Sequence, residues 1–343
     1  MMGQLGFAEA FLADKAGQNR RLERIASLID WSPFEAILPR AAAPGPGRPS
    51  YPALAMFKAL LLAQWYQLSD PALEEAMADR ISFRRFCGFA LDEITPDETT
   101  FCRFRLALAH DGRAERLMAE LDRQLGARGF LVKEGTMIDA TLIEAQAARP
   151  PFVTAATPDA TLADSMPDGA GAIDEPPPSA PASRTVVDSD ARFARKYGNT
   201  VYGYKAHIAV DVGSGLIRRS ILTPANINDT TPADALIMGD ERAVYADMAY
   251  STHARRMALK ARGIKDRLMH RPNKHHPELP HWQARRNALI SPIRAAVERT
   301  FGTWKRSYGY TCVRYFSLAA NAVELQLKAI AFNLRRAAAL ANP

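Results

Sequence analysis

Residues Ser291 to Arg306 read SPIRAAVERTFGTWKR. Arg294, Glu298 and Lys305 occupy relative positions 0, 4 and 11 of this stretch. At about 100° per residue they fall within roughly 40° of one another on a helix. A carboxylate flanked by two cations then projects from one stripe. Ile293, Val297 and Trp304 lie beside that stripe, so the helix can bury an apolar flank and turn its charged edge toward a site. Alone, the pattern also fits a solvated amphipathic helix with i, i+4 ion pairing. Its meaning depends on the rest of the chain.

The 343-residue chain carries a formal net charge of +7, with a sequence pI near 9.4. From His253 to Arg314 there are 15 Lys and Arg against Asp266, Glu278 and Glu298, a local balance of +12, which leaves +7 − 12 = −5 for the remainder. Basic character confined to one segment is expected where that segment meets a polyanion. No apolar run approaches the roughly 18 residues of a membrane span, and Glu9 and Asp14 break the N-terminal pattern that an export signal would need. A cytoplasmic protein without membrane contact is therefore expected. Cys87, Cys102 and Cys312 are too few and too scattered for a disulfide framework or a zinc site, and are expected to be buried or inert thiols. The length suggests two domains, or one large one with additions.

Residues 1–130 read as helical, with Leu22, Ile25, Ala26, Leu28 and Ile29 at helical spacing up to Pro33. Ala41–Ser50 is a Pro/Gly loop, and Tyr51–Leu68 is a strongly apolar helix. Ser69 caps the next helix, and Thr95-Pro96-Asp97-Glu98 reads as a capping box with Thr95 as N-cap. The helix that follows carries Thr99, Thr100, Arg103 and Arg105, an arrangement expected of a helix-turn-helix reader of DNA. From Phe130 the pattern changes to β: FLVKEGTMIDATLIEA is a strand bearing Asp139. Residues 149–190, rich in Pro, Ala, Asp, Ser and Thr, read as a flexible surface insert. Val201–Asp211 and LIRRSILTPA form a hairpin about Gly213-Ser214-Gly215. Then come a short helix, a strand ending at Asp247, a basic helical segment, a His-rich loop, the 291–306 helix and a packing helix over Ser317–Leu340.

This is an α/β order with acids on two strands and a late helix. A carboxylate at a strand end faces a crevice rather than the core, so Asp139, Asp247 and Glu298 could meet there. Hard oxygen ligands suit Mg²⁺ or Mn²⁺, and a pair of such ions promotes in-line phosphoryl displacement. Each acid also has a structural role open to it: a strand cap for Asp139, a turn for Asp247, an ion pair with Arg294 for Glu298. The spacing of His270, His275, His276 and His281 is too irregular for zinc and fits a basic loop. His207 reads as packed, and Asp211 and Asp229 as turn or supporting residues.

RAAVERTFGTWKR, with R-x₃-E-x₆-K from Arg294 through Glu298 to Lys305, resembles the C-terminal signature of the insertion-sequence-five family of DDE transposases. GTMIDATLIEA and VYADMAYST resemble the blocks around that family's two Asp residues, and GYKAHIAVDVGSGLIRRSILTPANINDTT resembles the strand pair and helix between them. SYPALAMFKALLLAQWYQLSDPALEEAMADRISFRRFCGF resembles its helical N-terminal part. Ser291 stands where the family usually has Tyr. The resemblance implies a ribonuclease H-like mixed-sheet catalytic core over 131–343, preceded by an all-helical domain over 1–130 for DNA binding and oligomerisation. It further implies Asp139, Asp247 and Glu298 as ligands of Mg²⁺ or Mn²⁺, and cleavage of transposon ends followed by joining of the 3′-hydroxyl to target DNA. Expected partners are double-stranded DNA, as inverted-repeat ends and target, and further copies of the chain. Arg294, Lys305, Arg299, Arg306, Arg103 and Arg105 are the expected DNA contacts. The rival expectations are a nuclease of the same fold that cuts without joining, and a transposase-derived DNA-binding repressor.

Overall fold

The computed structural model describes residues 17–39, 50–146, 187–196, 199–272 and 277–341. Among the described residues, seven helices precede the sheet: α1 (Arg20–Leu28), α2 (Ser32–Ile37), α3 (Ala53–Tyr66), α4 (Asp70–Asp79), α5 (Ile81–Cys87), α6 (Glu98–Leu108) and α7 (Arg113–Ala127). Six strands and four more helices follow among the described residues: β1 (Thr136–Glu144), β2 (Arg192–Lys196), β3 (Asn199–Asp211), β4 (Ile217–Pro224), β5 (Ala243–Ala246), α8 (His253–Ala261), β6 (Lys265–Leu268), α9 (His281–Arg294), α10 (Ala296–Ser307) and α11 (Leu318–Leu340). The fold is mixed α/β.

The helix starts follow side-chain chemistry, with some shifts from expectation. Pro33 lies in the first turn of α2, where its missing N–H costs nothing, so it opens a helix as well as closing one. Ser69 caps α4 by accepting from the Ala72 amide. The cap of α6 is Asp97, not Thr95: its carboxylate accepts from the Thr100 amide and the Thr99 hydroxyl, which leaves Pro96 outside the helix. The loop read at 41–50 lies, apart from Ser50, outside the described residues, as does the insert up to residue 186. The end of that stretch is structured: Asp188 accepts from the Tyr204 hydroxyl and the Ser317 amide, and Asp190 accepts from the Leu318 amide at the start of α11.

The sheet order is β2-β3-β1-β5-β6, with β4 also paired to β3. β3 runs antiparallel to β1, β2 and β4, whereas β5 is parallel to both β1 and β6. Strand β6, KDRL, lies between the basic helical segment and the His-rich loop and has no counterpart in the sequence pattern; its four residues are too short and polar for a period-2 signal to stand out. Gly203 is required where β3 meets β1, because an added Cβ would lie 2.1 Å from the Ile143 carbonyl oxygen.

One apolar cluster joins the N-terminal helices, α10, α11 and one face of the sheet through Met137, Ile143, Tyr204, Ile208 and Val210. A smaller one covers the other face, with Ile138, Val244 and Ala246 packed against Tyr250, Leu259 and Leu268. Helices α3 and α11 are apolar nearly all round, as buried helices must be. Their seam holds a charged group: the buried Lys328 ammonium donates to Gln64 Oε1 at 2.9 Å and the Tyr308 carbonyl at 3.2 Å, with the buried Glu324 carboxylate 3.3 Å away. Burial pushes the Lys328 pKa down, and Glu324 works against that shift.

Removing one charge of this pair strands the other in a dry core. Glu324→Ala is expected to cost about 3–5 kcal/mol in urea unfolding, and the double change Glu324→Leu/Lys328→Met much less. Equal losses in the two variants would show that the pair is not what the seam depends on.

Candidate active site

The β1–β5 pairing runs Thr136↔Val244, Met137↔Tyr245, Ile138↔Ala246. The next step in that register sets Asp139 beside Asp247, where β5 has just ended, at a strand separation of about 4.8 Å. Asp139 Oδ1 accepts from the Ala140 amide at 2.9 Å, and Asp247 Oδ1 from the Ala249 amide at 3.0 Å as the cap of a short 3₁₀ turn, Met248–Tyr250. Each aspartate thus keeps its second carboxylate oxygen apart from its local turn.

The third acid arrives through Arg294. Its Nη1 lies 3.3 Å from Asp139 Oδ2, and its Nη2 2.6 Å from Glu298 Oε1. The guanidinium therefore bridges the strand acid and the helix acid. Residues 291–306 are not one helix: α9 ends at Arg294, and Ala295 separates it from α10, although the i, i+4 contact of Arg294 and Glu298 survives the break. Val297 and Trp304 are buried as the apolar flank of that segment requires. Among the described residues no three His, Cys, Asp or Glu side chains are close enough to hold a metal as they stand. The gathered set is two neighbouring aspartates, with Glu298 tied to Asp139 by a cation. Its donors are hard anionic oxygens, the chemistry that Mg²⁺-type ions require, and a positive group already lies between two of them.

Several neighbours escaped the sequence reading. Tyr250 is buried, its hydroxyl has no hydrogen-bond partner among the described residues, and burial together with Asp139, Asp229 and Asp247 raises its pKa, so it stays protonated. Lys205 donates to the Ile227 carbonyl and pairs with Asp229 at 2.6 Å; as the one cation in the apolar run VYGYKAHIAVD it was the available signal. Arg255 fixes the loop under the site through Asp234 at 2.6 Å and the Tyr250 and Thr230 carbonyls.

The basic segment is partly spent on structure. Arg256 and Arg286 share Asp266, Arg255 and Arg294 are paired as described, and Arg314 lies 3.6 Å from Glu324. Arg299, Lys305 and Arg306 are exposed on α10. Arg103 is exposed on α6, but Arg105 is not available to DNA: it is buried, ion-paired with Asp70 and stacked 4.2 Å from the Tyr315 ring centroid. Phe101 and Leu108, one turn to either side, point the same way and were the sign of it. Cys102 is exposed rather than buried. His270 packs edge-on against Trp282 at 5.2 Å, whereas His275 and His276 lie outside the described residues. His207 is buried as expected, and Asp211 closes the β3–β4 turn through Ser214 Oγ at 2.6 Å.

Residues 131–334, more than half of the chain and inclusive of all three acids, match the Transposase DDE domain family, and residues 10–106 match a second family, Transposase domain (DUF772). An acid-bearing mixed sheet with this match defines a DNA-cleaving and DNA-joining enzyme. The chain belongs to the DDE transposase family. Among solved structures it resembles a chain described as the cryo-EM structure of piggyBac transposase synaptic complex with hairpin DNA, at 9% identity over 92% of this chain and 72% of that one, with a TM-score of 0.42, too low to support an argument. No helix of the described residues is long and apolar enough to cross a membrane.

Two outcomes follow. In a metal-free double-mutant cycle on unfolding, Arg294 and Asp139, whose side chains are 17% and 19% exposed, are expected to couple by about 1–2 kcal/mol, and Arg294 with the more exposed Glu298 by less than about 1 kcal/mol; the reverse order would contradict the bridge. Burial lowers the His207 pKa from 6.5 to about 4. The unfolded chain therefore takes up the proton first, and stability is lost as pH falls from about 6.5 toward 4, by about 2–3 kcal/mol. Urea titrations of His207→Gln are expected to lack that increment, and an unchanged acid limb would refute it.

Proposed function

We propose that this chain is a transposase of the insertion-sequence-five type, which cuts transposon ends and joins the freed 3′-hydroxyl to target DNA using Asp139, Asp247 and Glu298 as ligands of divalent ions, Mg²⁺ or Mn²⁺. The observation that carries the reading is the pairing register that sets Asp139 beside Asp247, with Glu298 tied to Asp139 through Arg294. The mixed order of antiparallel β3 and parallel β5 about β1 supports a ribonuclease H-like core over 131–343. The two family matches, 10–106 and 131–334, support the division into a helical part, 1–130, and a catalytic part.

When bound, the ions supply Lewis-acid polarisation of the scissile phosphodiester. The protein's share is positioning. Asp139 and Asp247, fixed by backbone pairing and local turns, form the rigid half of the donor set. Glu298, 60% exposed, is the adjustable half. Arg294, placed between Asp139 and Glu298, has a guanidinium that would bind two oxygens of a nearby phosphate bidentately. Lys305, two turns along the same stripe, reaches the backbone as a point charge, and Arg299, Arg306 and Arg103 add sequence-independent phosphate contacts. Such chemistry requires two ends held together, which supports a homo-oligomer, and DNA as partner fits a location in the cytoplasm at the nucleoid.

Asp139→Asn, Asp247→Asn and Glu298→Gln are each expected to lower divalent-dependent nicking of DNA by about 10³-fold or more while duplex binding persists. A variant that nicks at the parental rate removes its residue from the site. Pre-cleaved ends that the parental chain never joins to a target duplex would indicate a nuclease instead.

A further inference from the structure

On the far side of α10 from Glu298 lies a cleft of about 830 Å³, bounded by α1, α10, the β3–β4 turn and the end of α11. Arg21, Arg299, Arg335 and Arg336 line it. A second hollow of about 360 Å³ adds Arg20 and Arg24 and shares Arg21 and Arg335, so the two are continuous. None of these six arginines has an acidic partner among the described residues, whereas those elsewhere that are similarly gathered, such as Arg218, Arg255 and Arg256, are paired. Arg336 donates only to the Ser214 carbonyl, at 2.9 Å, and Arg335 lies 5.9 Å from the Tyr308 ring centroid. The one carboxylate in the wall, Asp211, is buried and already accepts from the Val132 and Lys133 amides and Ser214. Uncompensated like charges along a concave wall repel one another and focus a positive potential into it.

We infer that this cleft is a second DNA-backbone site, continuous with the proposed active site; it rests on the reading of the chain as a DNA-joining enzyme. On α10, Ala296, Arg299, Thr303 and Ser307 face the cleft, and Glu298 and Lys305 lie roughly half a circumference away. Arg299 and Arg306 occupy the exposed ridge between. Cations therefore run from the acids over the ridge and down into the cleft. A helix with its side chains is about 10–12 Å across, close to the roughly 12 Å width of the DNA major groove, so one duplex reaches both flanks. A small nucleotide is a poorer occupant: Trp65 and Tyr308 are buried and offer no face for a base.

Anisotropy with a random-sequence duplex, read as log affinity against log salt, tests this directly. Arg21→Gln/Arg335→Gln is expected to reduce the slope by about 2 and weaken binding about tenfold or more at low salt, whereas Arg21→Lys/Arg335→Lys keeps the slope. Arg116→Gln, an exposed change on α7, is the control and leaves it unaltered. A double-Gln slope equal to that of the control overturns the cleft. Displacement of the duplex by inorganic tripolyphosphate no better than by salt of equal ionic strength supports a backbone track; a tight tripolyphosphate complex that the double-Gln variant loses overturns it in favour of a small-anion pocket. Plasmid nicking by the parental chain separates the two claims: nicking with an unchanged double-Gln slope defeats the cleft alone, and absence of both nicking and duplex binding defeats the function as well.

Discussion

The parallel register between β1 and β5 is the constraint on which the site depends. Side chains alternate faces along a strand, so a slip of one residue would send Asp139 into the apolar layer that holds Ile138, and Ile138 out of it. The Ile138↔Ala246 step is fixed by burial: both residues, with Val244, pack into the smaller cluster against Tyr250 and Leu259. Hydrophobic packing on one face thus sets two carboxylates side by side, Asp139 within β1 and Asp247 just past the end of β5. Apolar burial of this kind contributes about 25 cal/mol per Å², which is ample to hold two partly exposed like charges near one another when a cation is adjacent.

That cation is Arg294. It comes from a helix end, touches the strand acid and the helix acid at once, and lets the protein fold with its acidic cluster compensated. An internal positive group thus offsets the charge of the strand acid and the helix acid. The exposed side of the same helix pair is left with unpaired arginines, so α10 separates an acidic flank from a basic one. A chain that joins DNA ends needs both, one for the reacting phosphate and one for the rest of the backbone.

Much of this was legible in the residues. The apolar runs at 51–68 and 317–340, the hairpin about Gly213-Ser214-Gly215, the strand bearing Asp139 and the strand that stops one residue before Asp247 all carry local patterns that the fold obeys. What was not legible depends on partners distant in sequence. Arg105 reads as a surface cation until Asp70 and Tyr315 enclose it. Four of the segment's 15 basic residues lose their apparent freedom once Asp234, Asp266 and Glu324 are seen opposite Arg255, Arg256, Arg286 and Arg314. The adjacency of the two aspartates needed the β1–β5 register, which no spacing along the chain encodes, and the arginine cleft needed α1 and α11 to meet across nearly the whole sequence.

The most direct test of the shared cation site is anomalous diffraction from crystals of the chain soaked in Mn²⁺. The account predicts a peak within bonding distance of carboxylate oxygens of both Asp139 and Asp247, with Glu298 turned toward it and Arg294 displaced. Mn²⁺ bound elsewhere, with the two aspartates uncoordinated and Arg294 still bridging Asp139 to Glu298, would contradict it.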